Sequence, residues 1–172
     1  MKTSFGSLLW LVACTGGELP VETGVLAQDS SPTPIVWTGP EVVLRDCTGT
    51  QLSFAELTGP RGLLVAIGAG WCDPCKEDAP LLQAFSEAHA DIGVVQVLVQ
   101  GPGGAPATSA DCADWTEAFA LTHPVLIDPV FVTEPLVGQD GFPMHLAYDA
   151  AGTTTYTDAG AFDAAAVLAA LP

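Results

Sequence analysis

The chain has 172 residues, with 20 acidic side chains against 4 basic ones and a formal net charge of −16. That balance excludes nucleic acid and anionic membrane surfaces as electrostatic partners, because both require a basic face. The length suffices for one domain around one core once a polar N-terminal stretch is set aside.

The first residues read as an export signal. Lys2 is the only early charge, and the apolar stretch Leu8-Leu9-Trp10-Leu11-Val12-Ala13 follows it. A bilayer span takes about 20 apolar residues, so this stretch is too short to be one. It ends in Leu11-Val12-Ala13-Cys14, which resembles a bacterial lipoprotein signal. The resemblance implies cleavage after residues 1–13 and lipidation of Cys14, which becomes the new N-terminus. The alternative is a plain secretory signal in which Cys14 is incidental. Removing residues 1–13 takes away one positive charge and no acid, so the remaining chain carries −17, with Arg45, Arg61 and Lys76 as its cations. A lipid anchor, not a basic patch, then provides any membrane attachment. Residues 14–40 are rich in Gly, Pro, Thr and Ser, bury too little to fold alone, and read as a flexible tether.

Residues 41–172 read as the folded domain. Residues 41–46 and 50–53 flank Cys47-Thr48-Gly49 and predict a hairpin with a polar turn. Residues 54–57 predict a helical turn stopped by Gly59-Pro60. Residues 62–68 are continuously apolar and predict a buried strand. A helix is expected over 73–89, with Leu81, Leu82, Phe85 and Ala88 as its inner stripe and Pro80 within it. An apolar strand follows at 92–99, then a Gly- and Pro-rich loop at 101–110. A helix is expected near 111–121, capped by Ser109 or Asp111, with Trp115, Ala118 and Phe119 on one face. Residues 125–128 predict a short strand. Residues 144–148 and 153–156, joined by an Asp-x-x-Gly turn, predict a second hairpin. Residues 162–171 predict a closing helix. This alternation defines an α/β fold, a sandwich around a central mixed sheet with an N-terminal hairpin extension.

The most informative segment is Gly70-Trp71-Cys72-Asp73-Pro74-Cys75-Lys76. A buried strand delivers two cysteines, two residues apart, to the first turn of a helix. Unpaired N–H groups and the helix dipole there favour thiolate over thiol. The competing readings are half of a zinc site and an inert disulfide. Zinc usually requires a second C-x-x-C or a His pair, and His89, His123 and His145 lack ligand spacing. The expected chemistry needs no cofactor and no metal.

W-C-x-P-C-K between a buried strand and a helix resembles the thioredoxin superfamily. Cys75-Lys76-Glu77-Asp78-Ala79-Pro80 is similar to the C-K-x-E-x-P of membrane-tethered thiol–disulfide oxidoreductases of bacterial envelopes, a group that includes cytochrome-c-maturation thioredoxins. The run His-Pro-Val-Leu-Ile-Asp at 123–128 resembles the redoxin branch. The resemblance implies Cys72 as an exposed nucleophile, Cys75 as a buried resolving thiol, and Trp71 as a residue that shapes and shields the site. It implies that Gly141-Phe142-Pro143 is the cis-proline loop, with Phe142 bulkier than the usual neighbour and narrowing the cleft. The envelope proteins usually carry Glu where Asp78 stands, one turn beyond Cys75. Asp78 either tunes the cysteine pair or is an ordinary solvated helix acid. Thioredoxins proper carry a buried acid six residues before the first cysteine, where this chain has Ala66, so Asp78 or water takes that place.

Asp73 lies beside Cys72, and a carboxylate there opposes thiolate formation. A less stable reduced state makes a better electron donor, so Asp73, between Cys72 and Pro74, points to a reductant; Glu77 and Asp78 push the same way, while Lys76 and the helix dipole oppose. Cys47 and Cys112 remain after Cys14, Cys72 and Cys75 are assigned. An even count in an oxidising compartment suggests a structural disulfide between them, the alternative being that one resolves Cys72 or Cys75. His145, two residues beyond Pro143, is within reach of the site. No peroxidase motif precedes Trp71, where Gly68, Ala69 and Gly70 stand.

The reading is a lipid-anchored, periplasm-facing thiol–disulfide oxidoreductase of the cell envelope. Its partners would be a disulfide-containing exported protein, apocytochrome c among the candidates, and a membrane-embedded thiol reductant. The competing class is a non-enzymatic binding module with a static disulfide, or a copper chaperone using His145.

Overall fold

The computed structural model describes residues 38–138 and 140–172. The signal at 1–13, Cys14 and all but the end of the 14–40 tether lie outside them. The elements are β1 (Val43–Asp46), β2 (Gln51–Ser53), α1 (Phe54–Leu57), β3 (Gly62–Ala69), α2 (Asp73–Ala88), β4 (Ile92–Gln100), α3 (Ser109–Ala118), β5 (Val125–Ile127), α4 (Glu134–Val137), β6 (Met144–Asp149), β7 (Thr154–Ala159) and α5 (Ala164–Ala170). No helix among the described residues is long and apolar enough to cross a membrane.

One seven-stranded sheet organises the domain, in the order β2-β1-β5-β4-β3-β6-β7. β3 pairs parallel to β4 and antiparallel to β6, and β4 pairs parallel to β5. The N-terminal hairpin joins through β1, which runs antiparallel to β5. Every residue of β3 is buried, which is why it reads as an unbroken apolar run. Alternate side chains enter two clusters. Leu63, Val65 and Ile67 pack with Phe54, Val95, Val97 and Leu126. Leu64 and Ala66 pack with Leu82, Phe85, Val167 and Leu171.

The inner face of α2 differs from the expected stripe. Leu81 is 51% exposed, and the buried positions are Cys75, Asp78, Ala79, Leu82, Gln83 and Phe85. Two polar residues therefore sit on the inner face, and each has a partner there. Asp78 accepts from the Phe162 amide, and the Gln83 side chain bonds to Thr122. α3 starts earlier than expected. Thr108 is its cap, and Asp111 closes a capping box by accepting from the Thr108 amide at 2.8 Å. The one-turn α4 has no periodicity to announce it and was not expected from the sequence.

Cys47 in the β1–β2 turn and Cys112 on α3 are joined in a disulfide across 65 residues of chain. It ties the N-terminal hairpin to the helix packed over β5. Closing a loop of that length restricts the unfolded chain by about 4 kcal/mol on the chain-entropy model. Replacing both cysteines by alanine should lower the unfolding free energy by up to about 4 kcal/mol in a urea titration. A loss below about 1 kcal/mol would show that the bridge does not hold the hairpin in solution.

Candidate active site

β3 ends at Ala69 and α2 begins at Asp73, so the three residues between them turn the chain sharply. Cys72 is the N-cap of α2, and its Sγ accepts from the Cys75 amide at 3.2 Å. Pro74 occupies the first helical turn, where its missing N–H costs no hydrogen bond. Cys72 and Cys75 are joined in a disulfide. The helix terminus that receives Cys72 Sγ is the one that stabilises a thiolate after reduction.

The expectation of an exposed Cys72 over a buried Cys75 needs correction. Cys72 is 3% exposed and Cys75 6%. In the disulfide, Cys72 Sγ turns inward to take the amide of Cys75 rather than pointing to solvent. Cys75 lies hard against β3. A Cβ on Gly68 would stand 2.8 Å from Cys75 Sγ, so only glycine leaves room for the sulfur there. The glycine marks a close approach that its place at the end of an apolar run does not announce.

Trp71 is half-exposed, and its Nε1–H donates to Gln100 Oε1 at 2.8 Å. Its ring meets Phe142 edge-on at 6.2 Å, and Phe142 meets Phe131 at 5.9 Å. The Phe142–Pro143 bond is cis. Phe142 and Phe131 line a groove of about 140 Å³ with Val99, Gln100, Pro106 and Pro129. Phe142 thus bounds a cleft beside the site. Phe131 has φ 54°, an unusual conformation for a bulky residue. The wholly buried Asp128 holds the loop in that shape. Its Oδ1 accepts from the Val132 amide and its Oδ2 from the Thr133 amide, each at 2.8 Å, and Oδ2 also accepts from the Thr133 hydroxyl at 2.7 Å. Phe131 was not singled out by the sequence, and Asp128 entered only as the end of a strand and of the run at 123–128, with no role assigned to its side chain.

The charges beside the cysteines differ from the sequence reading. Asp73 accepts from Lys76 Nζ at 2.7 Å, and that ammonium holds the Asp73 carboxyl below the usual carboxylate range. The two side chains form a near-neutral pair on the solvent side, so Asp73 does not act as an isolated negative charge on Cys72. Asp78 is not a solvated helix acid. It is 3% exposed, its Oδ1 accepts from the Phe162 amide at 3.0 Å, and its Oδ2 lies 3.4 Å from His145 Nε2. Cys75, Asp78, Pro143 and His145 line one small cavity of about 20 Å³, with Ala66 in its wall.

The other histidines lie elsewhere. His123 bonds to Gln83 at 3.1 Å, and burial pushes its pKa down to about 4. His89 stacks near Phe85 at the end of α2. Among the described residues no cluster of three or more His, Cys, Asp or Glu side chains is placed to hold a metal ion.

The sheet order, the dithiol turn at the start of α2 and the proline loop opposite it define the thioredoxin-like fold. Solved structures with this architecture include a secreted disulfide oxidoreductase of Mycobacterium tuberculosis homologous to E. coli DsbE. Its TM-score is 0.61 at 18% identity, over 75% of this chain and 96% of that one. The exposed lipoprotein thioredoxin Etrx1 of Streptococcus pneumoniae matches with a TM-score of 0.62 at 22% identity, over 76% and 96%. Among curated proteins, a thioredoxin of Alicyclobacillus acidocaldarius is 44% identical over 45 residues, 26% of this chain and 43% of that protein. The thioredoxin-like protein YneN of Bacillus subtilis is 27% identical over 90 residues, 52% and 51%. The chain spans about half or less of these curated relatives, and no family model matches it.

The contact at Gly68 yields a test. A methyl group there presses on the Cys75 sulfur while it is fixed in the disulfide, whereas a free thiol can rotate away. Gly68→Ala should therefore destabilise the oxidised form, by about 1 to 3 kcal/mol for overpacking of this kind. That corresponds to a midpoint potential raised by roughly 20 to 60 mV for a two-electron couple. A potential that stays or falls would show that Cys75 is not held against β3.

Proposed function

We propose that this protein is a thiol–disulfide oxidoreductase of the bacterial cell envelope that reduces disulfides in exported proteins through Cys72 and Cys75. The observation that carries the reading is the Cys72–Cys75 disulfide capping α2, with Cys72 Sγ on a helix amide and Cys75 against β3. Reduction leaves Cys72 as a thiolate stabilised by that terminus. Its sulfur attacks the partner's disulfide and forms a mixed disulfide, and one partner sulfur departs with the electron pair. Cys75 then attacks Cys72 Sγ, the intramolecular bond re-forms, and the second partner sulfur leaves. The partner disulfide gains two electrons and the dithiol loses two. The groove of Phe131 and Phe142 beside Trp71 receives the partner's chain.

The direction of electron flow rests on Asp78 rather than Asp73. A buried carboxylate near Cys75 disfavours a second negative charge, and Lys76 already neutralises Asp73. A reduced state that is costly to hold favours donation. Electrons come from a membrane-embedded thiol reductant. The secreted and surface-exposed character of the two structural neighbours supports an envelope location, and the sequence ending in Ala13-Cys14 supports a lipid anchor facing the periplasm.

The full chain carrying Cys14→Ser should accelerate reduction of insulin by a small dithiol, and Cys72→Ser should abolish the acceleration. Cys75→Ser should accumulate a mixed disulfide through Cys72. Undiminished turnover by Cys72→Ser contradicts the reading. Labelled palmitate should enter the unsubstituted protein expressed in bacteria and be absent from Cys14→Ala; absence from both leaves an exported protein without the anchor.

A further inference from the structure

The mechanism requires Cys75 to lose a proton at a place that solvent scarcely reaches, since the residue is 6% exposed. The structure supplies a buried polar pair behind it that the reading above does not fully use. His145 is central on β6, 1% exposed, and stands opposite Ala66 of β3 in the strand register. Its Nε2 lies 3.4 Å from Asp78 Oδ2. The contact is close but not aligned as a hydrogen bond. Neither ring nitrogen of His145 has a hydrogen-bond partner among the described residues, and neither does Asp78 Oδ2. Buried polar atoms are usually satisfied, and leaving one unpaired costs on the order of 1 to 3 kcal/mol. Three such atoms on two neighbouring side chains, at the wall of a cavity shared with Cys75, point to a role beyond packing. The cavity, about 20 Å³, has room for about one water molecule, and Asp78, His145 and Gln96 supply polar groups to an otherwise largely apolar wall.

We propose that His145, with Asp78 beside it, is the proton acceptor for Cys75, taking its thiol proton across this cavity as Cys75 displaces the partner from the mixed disulfide. The inference rests on the oxidoreductase reading. In the step, the Cys75 Sγ–Cys72 Sγ bond forms and the bond from Cys72 Sγ to the partner sulfur breaks. The partner sulfur leaves with the electron pair as a thiolate. The Cys75 proton resides on the His145 ring and then passes to solvent or to the departing thiolate. His145 accepts the proton at a ring nitrogen, and the Asp78 carboxylate stabilises the positive charge that develops on the ring.

The surroundings of His145 suit a transient rather than a permanent charge. Burial pushes its pKa down, while the Asp78 carboxylate and then Asp158, its cross-strand partner on β7, pull it up. Ala66 of β3 and the Phe162 ring at 5.4 Å flank it with apolar surface, and Gln96 lines the same cavity. The imidazole is therefore neutral at rest and has two acids positioned to stabilise it once protonated. Asp78 is held for this by the Phe162 amide on its other oxygen.

The experiment follows two product releases in stopped flow. The reduced full chain carrying Cys14→Ser, with the Cys47–Cys112 bridge intact, is mixed with the disulfide of thionitrobenzoate. The first chromophore release reports attack by Cys72. The second, independent of reagent concentration, reports displacement by Cys75. His145→Gln should slow the second release about tenfold or more at neutral pH and leave the first within about twofold. Its second release should also rise about tenfold per pH unit from pH 6 to pH 8, as hydroxide takes over, where the unsubstituted chain is flatter. Asp78→Asn, which retains the side chain's size, should slow the second release in the same direction and serves if His145→Gln does not fold. Unchanged second release in the folded variants overturns the proposal. Equal slowing of both releases also overturns it, because that reports a general structural effect. An unsubstituted chain with a first release and no second removes the oxidoreductase reading along with it.

Discussion

The site depends on one constraint, the press of Cys75 against the end of β3. The sulfur lies where a side chain at position 68 would otherwise be, so the first turn of α2 docks directly on the central strand. That contact fixes where the helix starts. It makes Cys72 the N-cap and places Cys72 Sγ on an amide at the positive end of the helix dipole. It also turns the next inner-facing position of α2, Asp78, toward β6, where His145 stands. The asymmetry between the cysteines is thus one of surroundings rather than exposure. Cys72 meets a helix terminus, while Cys75 meets a strand, a buried acid and an imidazole.

Two kinds of polar burial separate the structural work from the chemical work. Gln83 with His123 and Thr122, Gln96 with Trp115, and Asp128 with Thr133 each find direct partners. Such satisfied networks fix loops and helix faces. Asp128 in particular shapes the turn that presents Phe131 to the groove. The Asp78–His145 pair is different because, among the described residues, atoms on both members lack hydrogen-bond partners, whereas His123 lacks one only at Nε2 and is tied to Gln83 through Nδ1. Three of these atoms lie on two neighbouring side chains behind the Cys72–Cys75 disulfide, and groups whose protonation changes during function are often found at such places.

Much of this was legible in the sequence for identifiable reasons. β3 could be read because burial on both faces leaves an uninterrupted apolar run, and the dithiol turn because Trp71, Pro74 and the cysteine spacing are compact and local. Both hairpins announced themselves through turn residues. Three-dimensional neighbours were harder. The inner face of α2 was misplaced because Leu81 is apolar yet exposed, whereas Asp78 and Gln83 are polar yet buried with partners far away in sequence. Lys76 was legible as a charge opposing Asp73, but their direct pairing was not, because it is a matter of rotamer and not of spacing alone. Thr108 was overlooked as a cap because two better-known capping residues follow it closely. His145 was seen to be near the site, but its apposition to Asp78 depends on the register of β6 against β3.

The central claim is that Cys72 and Cys75 form a reversible dithiol couple poised to donate electrons. A redox titration of the full chain carrying Cys14→Ser, read by thiol alkylation and mass spectrometry, tests it most directly. The account predicts a two-electron couple confined to Cys72 and Cys75, with a midpoint below about −200 mV. A pair that stays oxidised throughout would contradict the redox claim, and a midpoint well above that value would contradict its direction.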